Sequence, residues 1–191
     1  MPNYFTENSD ILFHFENLDM REIVQIAEDN FEESKKYNYA PINYEDAMEN
    51  YKKVLEVVGD ISGNFIEPRS KDVDLEGAHY KEGDVKYAKG TQENLNELAK
   101  ADLMGMVLPR RFGGLNFPMI IYIMATEIIA RADASMMNLF GLQDIGEMIS
   151  RYGNEEQKMR YLPKFSSGEY TGAMALTEPD AGSDLQSVKL Q

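Results

Sequence analysis

Between Phe117 and Ala130 the chain is apolar almost without a break, and Glu127 is the one charge in the run. A helix built from these residues has no polar face to turn to water. It must lie at the centre of a domain, with other elements packed around it. The run is too short to cross a bilayer and carries an acid, so it is not read as a membrane span. With 191 residues there is enough chain to bury such a helix. Within the buried run, Glu127 needs a partner, and Arg131 stands one helical turn further on to supply it.

Helices are expected on both sides of this centre. Residues 1–16 hold Tyr4, Phe5, Phe13 and Phe15 and read as an aromatic arm packed on something larger. Asp19 is placed to cap a short helix to about Phe31, with Met20, Ile23, Val24 and Ala27 on one face. Residues 32–38 read as a solvated connector. Asn43 is an N-cap for a helix whose apolar positions Met48, Tyr51, Val54, Leu55, Val58, Ile61 and Phe65 keep helical spacing until Pro68 stops it. Residues 69–76 read as polar loop. Ala78 to Lys81 and Val85 to Ala88 flank Glu82-Gly83-Asp84 as a small exposed hairpin. Thr91 caps the next helix, with Leu95, Leu98, Ala99 and Leu103 as its stripe. Gly113 and Gly114 allow a sharp reversal after Pro109. Asp133 or Ser135 opens a helix to about Tyr152, which Gly153 ends. Asn154 and Gln157 form a capping-box pattern for the last helix, with Pro163 near its end.

From Tyr170 the pattern changes. Residues 172–176 are small or apolar and read as a strand, which Pro179 ends because it has no N–H for a ladder. Asp180-Ala181-Gly182-Ser183-Asp184 then makes a tight polar turn. Thr177 and Ser183 offer hydroxyls, Gly182 permits close approach to a ligand, and free N–H groups in such a turn can cradle a phosphate.

Composition removes several function classes. With 19 basic and 33 acidic residues the net charge is −14, which disfavours nucleic acid and anionic membrane as partners. There is no cysteine, hence no disulfide framework and no thiolate chemistry, which suits a reducing cytoplasm. His14 and His79 are far apart and give no metal-ligand spacing. The N-terminus has neither a secretory signal nor the arginine-rich character of a transit peptide. Met136, Met137 and Met148 read as adaptable core filling or as part of the wall of an apolar tunnel.

The run Ala175-Leu176-Thr177-Glu178-Pro179 followed by Ala181-Gly182-Ser183-Asp184 resembles the flavin-contacting signature of the acyl-CoA dehydrogenases. Two upstream stretches resemble the same family in order and spacing. One is Tyr152-Gly153-Asn154-Glu155-Glu156-Gln157-Lys158 with Tyr161-Leu162-Pro163-Lys164 and Ser167-Gly168-Glu169. The other is Leu108-Pro109 followed by Gly113-Gly114-Leu115. The clear likeness covers about residues 95–189. Residues 3–31 are similar to the N-terminal extension of some long bacterial members.

The resemblance implies a mainly α fold: the family's N-terminal helical domain with a small β-hairpin, followed by the first strand of a middle β domain. The implied divisions are an extension at 1–38, the helical domain at 39–168 and the start of the β domain at 169–191. It also implies FAD as cofactor. Met174, Leu176 and Thr177 would lie at the flavin ring, and Gly182 and Ser183 towards its pyrophosphate, with Ser183 also near bound acyl-CoA. Met174 stands where many members have an aromatic residue, and Asp180 where many have glycine. The implied reaction is α,β-dehydrogenation of an acyl-CoA thioester in fatty acid metabolism, with electrons passed to an electron-transfer flavoprotein. The family's catalytic glutamate lies in its C-terminal part, so no catalytic residue is assigned among these residues, and no metal site. A chain ending here is expected to be part of a longer enzyme, to be inactive and a poor FAD binder by itself, and to associate into dimers or larger oligomers through apolar surface around residues 117–148. The alternatives are a non-catalytic helical interaction module, and an acyl-CoA oxidase or flavin monooxygenase of the same fold.

Overall fold

The computed structural model describes residues 2–189. It is helical apart from one small hairpin. The elements are α1 (Ser9–Asn17), α2 (Arg21–Ala27), α3 (Tyr44–Ile61), α4 (Glu67–Glu76), β1 (His79–Lys81), β2 (Asp84–Lys86), α5 (Lys89–Lys100), α6 (Met119–Ala132), α7 (Ala134–Gly141), α8 (Ile145–Tyr152) and α9 (Glu155–Ser166). As the apolar run requires, α6 is central and packs on α3 and α7. Ile121, Tyr122, Met124, Ala125, Ile128 and Ile129 are buried in the main core. The hairpin forms as expected, antiparallel with Tyr80 opposite Val85.

Pro68 does not end its helix. A π turn, Ser62–Ile66, joins α3 to α4, and Pro68 sits in the first turn of α4. Glu67 N–H reaches back to Ser62 O across this wider turn. The turn resets the ladder just before the proline, so the missing donor falls at a helix start, where it costs little. Residues 69–76 are therefore helix rather than loop. Thr91 is buried inside α5, whose first turn begins earlier, at Lys89. The long helix expected from Asp133 is two helices, α7 and α8, joined by a 3-10 turn, Leu142–Asp144. Asp133 does cap α7, accepting from Ser135 N and Met136 N. The capping box of Asn154 and Gln157 is present.

Glu127 is exposed and no ion pair joins it to Arg131 among the described residues. Arg131 lies instead over the Tyr4 ring, 4.2 Å from its centroid. The helix has one wet edge after all, where Ile123 and Glu127 stand one turn apart.

The aromatic arm packs on this same domain. Phe5 and Phe15 are buried in the main core, and their rings meet edge to face at 5.9 Å. The arm crosses α3 at Gly59, where a Cβ would lie 2.2 Å from Asn3 Oδ1 and 2.6 Å from Phe5 N. Tyr4 N–H donates to Gly59 O at 3.1 Å, and Asn3 Nδ2 donates to Glu56 O at 2.9 Å. Glycine at 59 is thus a condition for the arm to seat.

Helix α2 is shorter than expected. It stops at Ala27, because Asp29, Asn30 and Phe31 take positive φ. Asp19 accepts from Arg21 N without capping a longer helix. The bend puts Glu28 inside the protein. Arg110, 1% exposed at its side chain, pairs with Glu28 at 2.8 Å and with Glu33 at 2.8 Å. The Tyr51 hydroxyl donates to Glu28 at 2.7 Å, and Asn116 Nδ2 donates to Ala27 O at 2.7 Å. The supposed connector at 32–38 therefore supplies part of a buried ionic knot, and the extension is built into the helical domain.

Candidate functional site

Helix α9 ends at Ser166, and Gly168, at φ 76°, turns the chain away. Tyr170 N–H donates to Lys164 O at 3.1 Å. Residues 171–177 then run extended, with no strand paired to them among the described residues. The strand expected at 172–176 is thus an extended segment, because a ladder needs a neighbour and the hairpin pairs only with itself. Gly172 is buried against the corner between α7 and α8. Beyond it Met174 and Leu176 are about half exposed, and Thr177 is exposed.

The turn itself is closed by a pair of bonds between Glu178 and Ala181, at 2.9 and 3.2 Å. Asp184 accepts from Gln186 N at 3.2 Å and from the Ser187 hydroxyl at 2.6 Å, starting a 3-10 turn, Leu185–Ser187. The N–H groups of Asp180, Gly182 and Ser183 make no hydrogen bond among the described residues, nor do the hydroxyls of Thr177 and Ser183. A Cβ on Gly182 would meet only Thr177 Cγ2, at 3.5 Å. The turn therefore presents several outward donors beside two half-exposed apolar side chains. That donor set fits a flat aromatic ring system with a phosphate tail. The five residues marked in the sequence, Met174, Leu176, Thr177, Gly182 and Ser183, are all exposed.

A second feature lies on α6, and none of residues 170–184 lines it. A groove of about 390 Å³ runs along the wet edge of α6, lined by Met119, Tyr122, Ile123, Met137, Gly141 and Asp144. The Tyr122 hydroxyl lies 2.6 Å from Phe140 O and 2.8 Å from Gly141 O, which holds the end of α7 against α6. Burial pushes both the Tyr122 hydroxyl and the Asp144 carboxyl up, and the neighbouring Glu147 charge adds to the effect on Asp144. Of the three methionines singled out, Met136 is fully buried core, Met137 lines this groove and Met148 is half exposed. A wider recess of about 770 Å³ lies between α4, the hairpin and the α6–α7 junction, and none of residues 170–184 lines it.

Gln143 ties the segment before the turn to the helices, and nothing in the sequence marks it. It is 1% exposed at the corner after α7. Its Oε1 accepts from Gly172 N at 3.0 Å, and its Nε2 lies 3.4 Å from Phe165 O and 3.3 Å from Tyr170 O.

Among the described residues no group of three or more His, Asp or Glu side chains is placed to hold a metal ion, and no helix is long and apolar enough to cross a membrane.

Residues 48–169 match the family model described as acyl-CoA dehydrogenase, N-terminal domain. The match ends just before the extended segment. The 3-methylmercaptopropionyl-CoA dehydrogenase of Ruegeria pomeroyi is 32% identical over 182 residues, covering 94% of this chain and 29% of that protein. An acyl-CoA dehydrogenase of Bacillus subtilis is 38% identical over 97 residues, 50% of this chain and 26% of that protein. Among solved structures, glutaryl-CoA dehydrogenase from Mycobacterium smegmatis superposes with a TM-score of 0.61 at 25% identity, over 73% of this chain and 34% of that one. Acyl-CoA dehydrogenase complexed with FAD from Bacillus anthracis gives a TM-score of 0.61 at 26% identity, over 74% of this chain and 22% of that one. The chain spans well under half the length of each of these proteins. The helical core around α6 and the hairpin both fall within the matched residues 48–169, and the chain belongs to the acyl-CoA dehydrogenase family through its N-terminal domain.

Proposed function

We propose that the whole protein is an FAD-dependent acyl-CoA dehydrogenase that carries out α,β-dehydrogenation of an acyl-CoA thioester, and that this chain supplies its helical domain and one wall of its flavin site. Family membership over residues 48–169 is the observation that carries this reading. The donor-rich turn at residues 177–184 supports it. Bound FAD supplies the hydride acceptor. Met174 and Leu176 offer apolar contact to a flavin ring, and the Thr177 hydroxyl offers it a hydrogen bond. The free N–H groups of Gly182 and Ser183 are suited to pyrophosphate oxygens, and the Ser183 side chain to the edge of the thioester substrate. The groove along α6 is suited to an acyl chain, with Met137 as an adaptable wall. No residue here is assigned as the catalytic base; that role is expected of a glutamate elsewhere in the whole enzyme.

Electrons leave, in this proposal, to an electron-transfer flavoprotein, and the enzyme works in the cytoplasm as a homo-oligomer. Association is supported by exposed apolar side chains on α6, α8 and α9, such as Ile123, Tyr152 and Met159. The test is to purify the whole gene product and look for bound FAD. It is then assayed with acyl-CoA thioesters of several lengths, with an artificial acceptor and, separately, with oxygen. Flavin bleaching by a thioester with slow reoxidation by oxygen supports the dehydrogenase. Rapid reoxidation by oxygen makes the protein an oxidase, and absence of both flavin and bleaching makes it a non-catalytic module.

A further inference from the structure

Gln143 is a buried side chain whose hydrogen bonds bridge the α7–α8 corner of the helical platform to the segment that leads into the turn. It reaches three main-chain groups that lie 22 to 29 residues away in sequence: the carbonyls of Phe165 and Tyr170 and the N–H of Gly172. The contact is close as well as polar. A Cβ on Gly172 would lie 1.9 Å from Leu142 O and 3.1 Å from the Ile145 side chain. Only glycine lets the backbone reach the amide oxygen. Two residues further along, the chain is solvent-exposed, so the direction in which Met174, Leu176 and Thr177 leave the platform is set at Gly172. The same corner carries Gly141 and Asp144, which line the α6 groove. One side chain thus ties the wall of the groove to the root of the turn.

We propose that Gln143 is the positioning residue of the cofactor site: by holding Gly172 and Tyr170 against the α7–α8 corner it fixes the register and direction in which residues 174–177 face the flavin. This rests on the reading of the turn as a flavin-contacting wall. Gln143 touches neither cofactor nor substrate in this role and acts through the backbone. A glutamine suits it because one amide group supplies both the acceptor that Gly172 needs and the donors that two carbonyls need. Methionine keeps the volume and supplies neither. Glutamate keeps the acceptor and loses the donors.

The test uses Gln143→Met, Gln143→Glu, Gly172→Ala and, as a control, Gln157→Ala, which breaks the capping box of α9 without touching the segment. In the 191-residue chain, hydrogen exchange is read at residues 170–176. In the whole gene product, the FAD dissociation constant and the flavin absorbance envelope are read. We expect Gln143→Met and Gly172→Ala to speed exchange at the amide of residue 172 at least about tenfold, the loss of one well-made buried bond. Exchange in α3 and α6 should stay at the wild-type rate. Both variants should weaken FAD binding by a similar factor and move the flavin spectrum towards that of free FAD, with Gln143→Glu in between. Gln157→Ala should lower the melting temperature and leave exchange at Gly172 and the spectrum unchanged. Unchanged exchange in Gln143→Met and Gly172→Ala overturns the proposal. So does faster exchange with unaltered FAD affinity, or a Gln157→Ala variant that loses flavin equally. If the wild-type whole product binds no FAD, the flavin reading falls, and the exchange arm still judges the tie by itself.

Discussion

The ionic knot at Arg110 and the turn at 177–184 are held in opposite ways. Arg110 is sealed from solvent and paired through its two terminal nitrogens with carboxylates 77 and 82 residues away in the chain, while its Nε has no hydrogen-bond partner among the described residues. The turn is exposed and closed by bonds within its own few residues, and its donors point outward. The first arrangement spends its polar groups on the fold. The second leaves several of them unpaired at the surface, among the described residues. Buried polar groups must be paired, so a region with spare donors has to sit at the surface, on a platform stabilised elsewhere.

The sharpest way to break this contrast is to cut the knot. Arg110→Met leaves Glu28 buried with no cation, and we expect a loss of about 3–5 kcal/mol in chemical unfolding. A loss under about 1 kcal/mol, typical of exposed pairs, would put the knot in the same class as the surface bridges.

Gly59→Ala comes next. Alanine favours a helix interior by about 0.5–1 kcal/mol. The added methyl group, however, overlaps Asn3 and the backbone of Phe5, and overpacking of this kind costs about 1–3 kcal/mol. The clash should win, with faster hydrogen exchange over residues 2–17 as its local mark. Net stabilisation with unchanged exchange would mean that the arm does not seat on α3.

The third expectation is a pH dependence. Burial pushes the Glu28 carboxyl up, against the Tyr51 hydroxyl and Arg110, which pull it down. Two carboxylates share one guanidinium here, so the buried cluster takes up a proton more readily than a free glutamate. A carboxyl raised in the folded state contributes stability that is full below its ordinary pKa and is lost as pH rises through the folded value. The stability of the wild type relative to Glu28→Gln should therefore decline as pH rises from about 4.5. A difference that grows with pH would reverse the assignment.

The smallest effect on stability belongs to the turn. Thr177→Ala and Ser183→Ala should each shift unfolding by less than about 0.5 kcal/mol, as exposed substitutions do. In the whole protein each should weaken FAD retention, by roughly 0.5–1.5 kcal/mol. Destabilisation without loss of flavin would make the turn a structural element and not a binding one.

The same contrast explains what could be read in the sequence. Helical spacing and capping residues placed α3, α5, α6 and α9, because those signals are local: Asn43, and the pair Asn154 and Gln157, act within one turn. The hairpin was legible for the same reason. The donor-rich turn was visible as a motif, since its chemistry lies in consecutive residues. What could not be read depends on distant partners. Glu28 and Glu33 look like solvated acids until the bend at 29–31 brings them to Arg110. Gln143 looks like one polar residue in a helix until that helix breaks. Pro68 looks like a stop until the π turn before it resets the ladder. Glu127 misled in the opposite sense, since an apolar run does not reveal which edge stays wet.

The most direct measurement of the central claim is an amide-resolved NMR titration of the 191-residue chain with FAD. We expect shifts confined to residues 174–184, largest at Thr177, Gly182 and Ser183. The affinity should be weaker than micromolar, because one wall with two hydroxyls and a few N–H groups falls short of the roughly 8 kcal/mol that micromolar binding requires. Shifts centred on the recess by Arg131 and Asp133, or tight stoichiometric binding with residues 174–184 unmoved, would contradict the account.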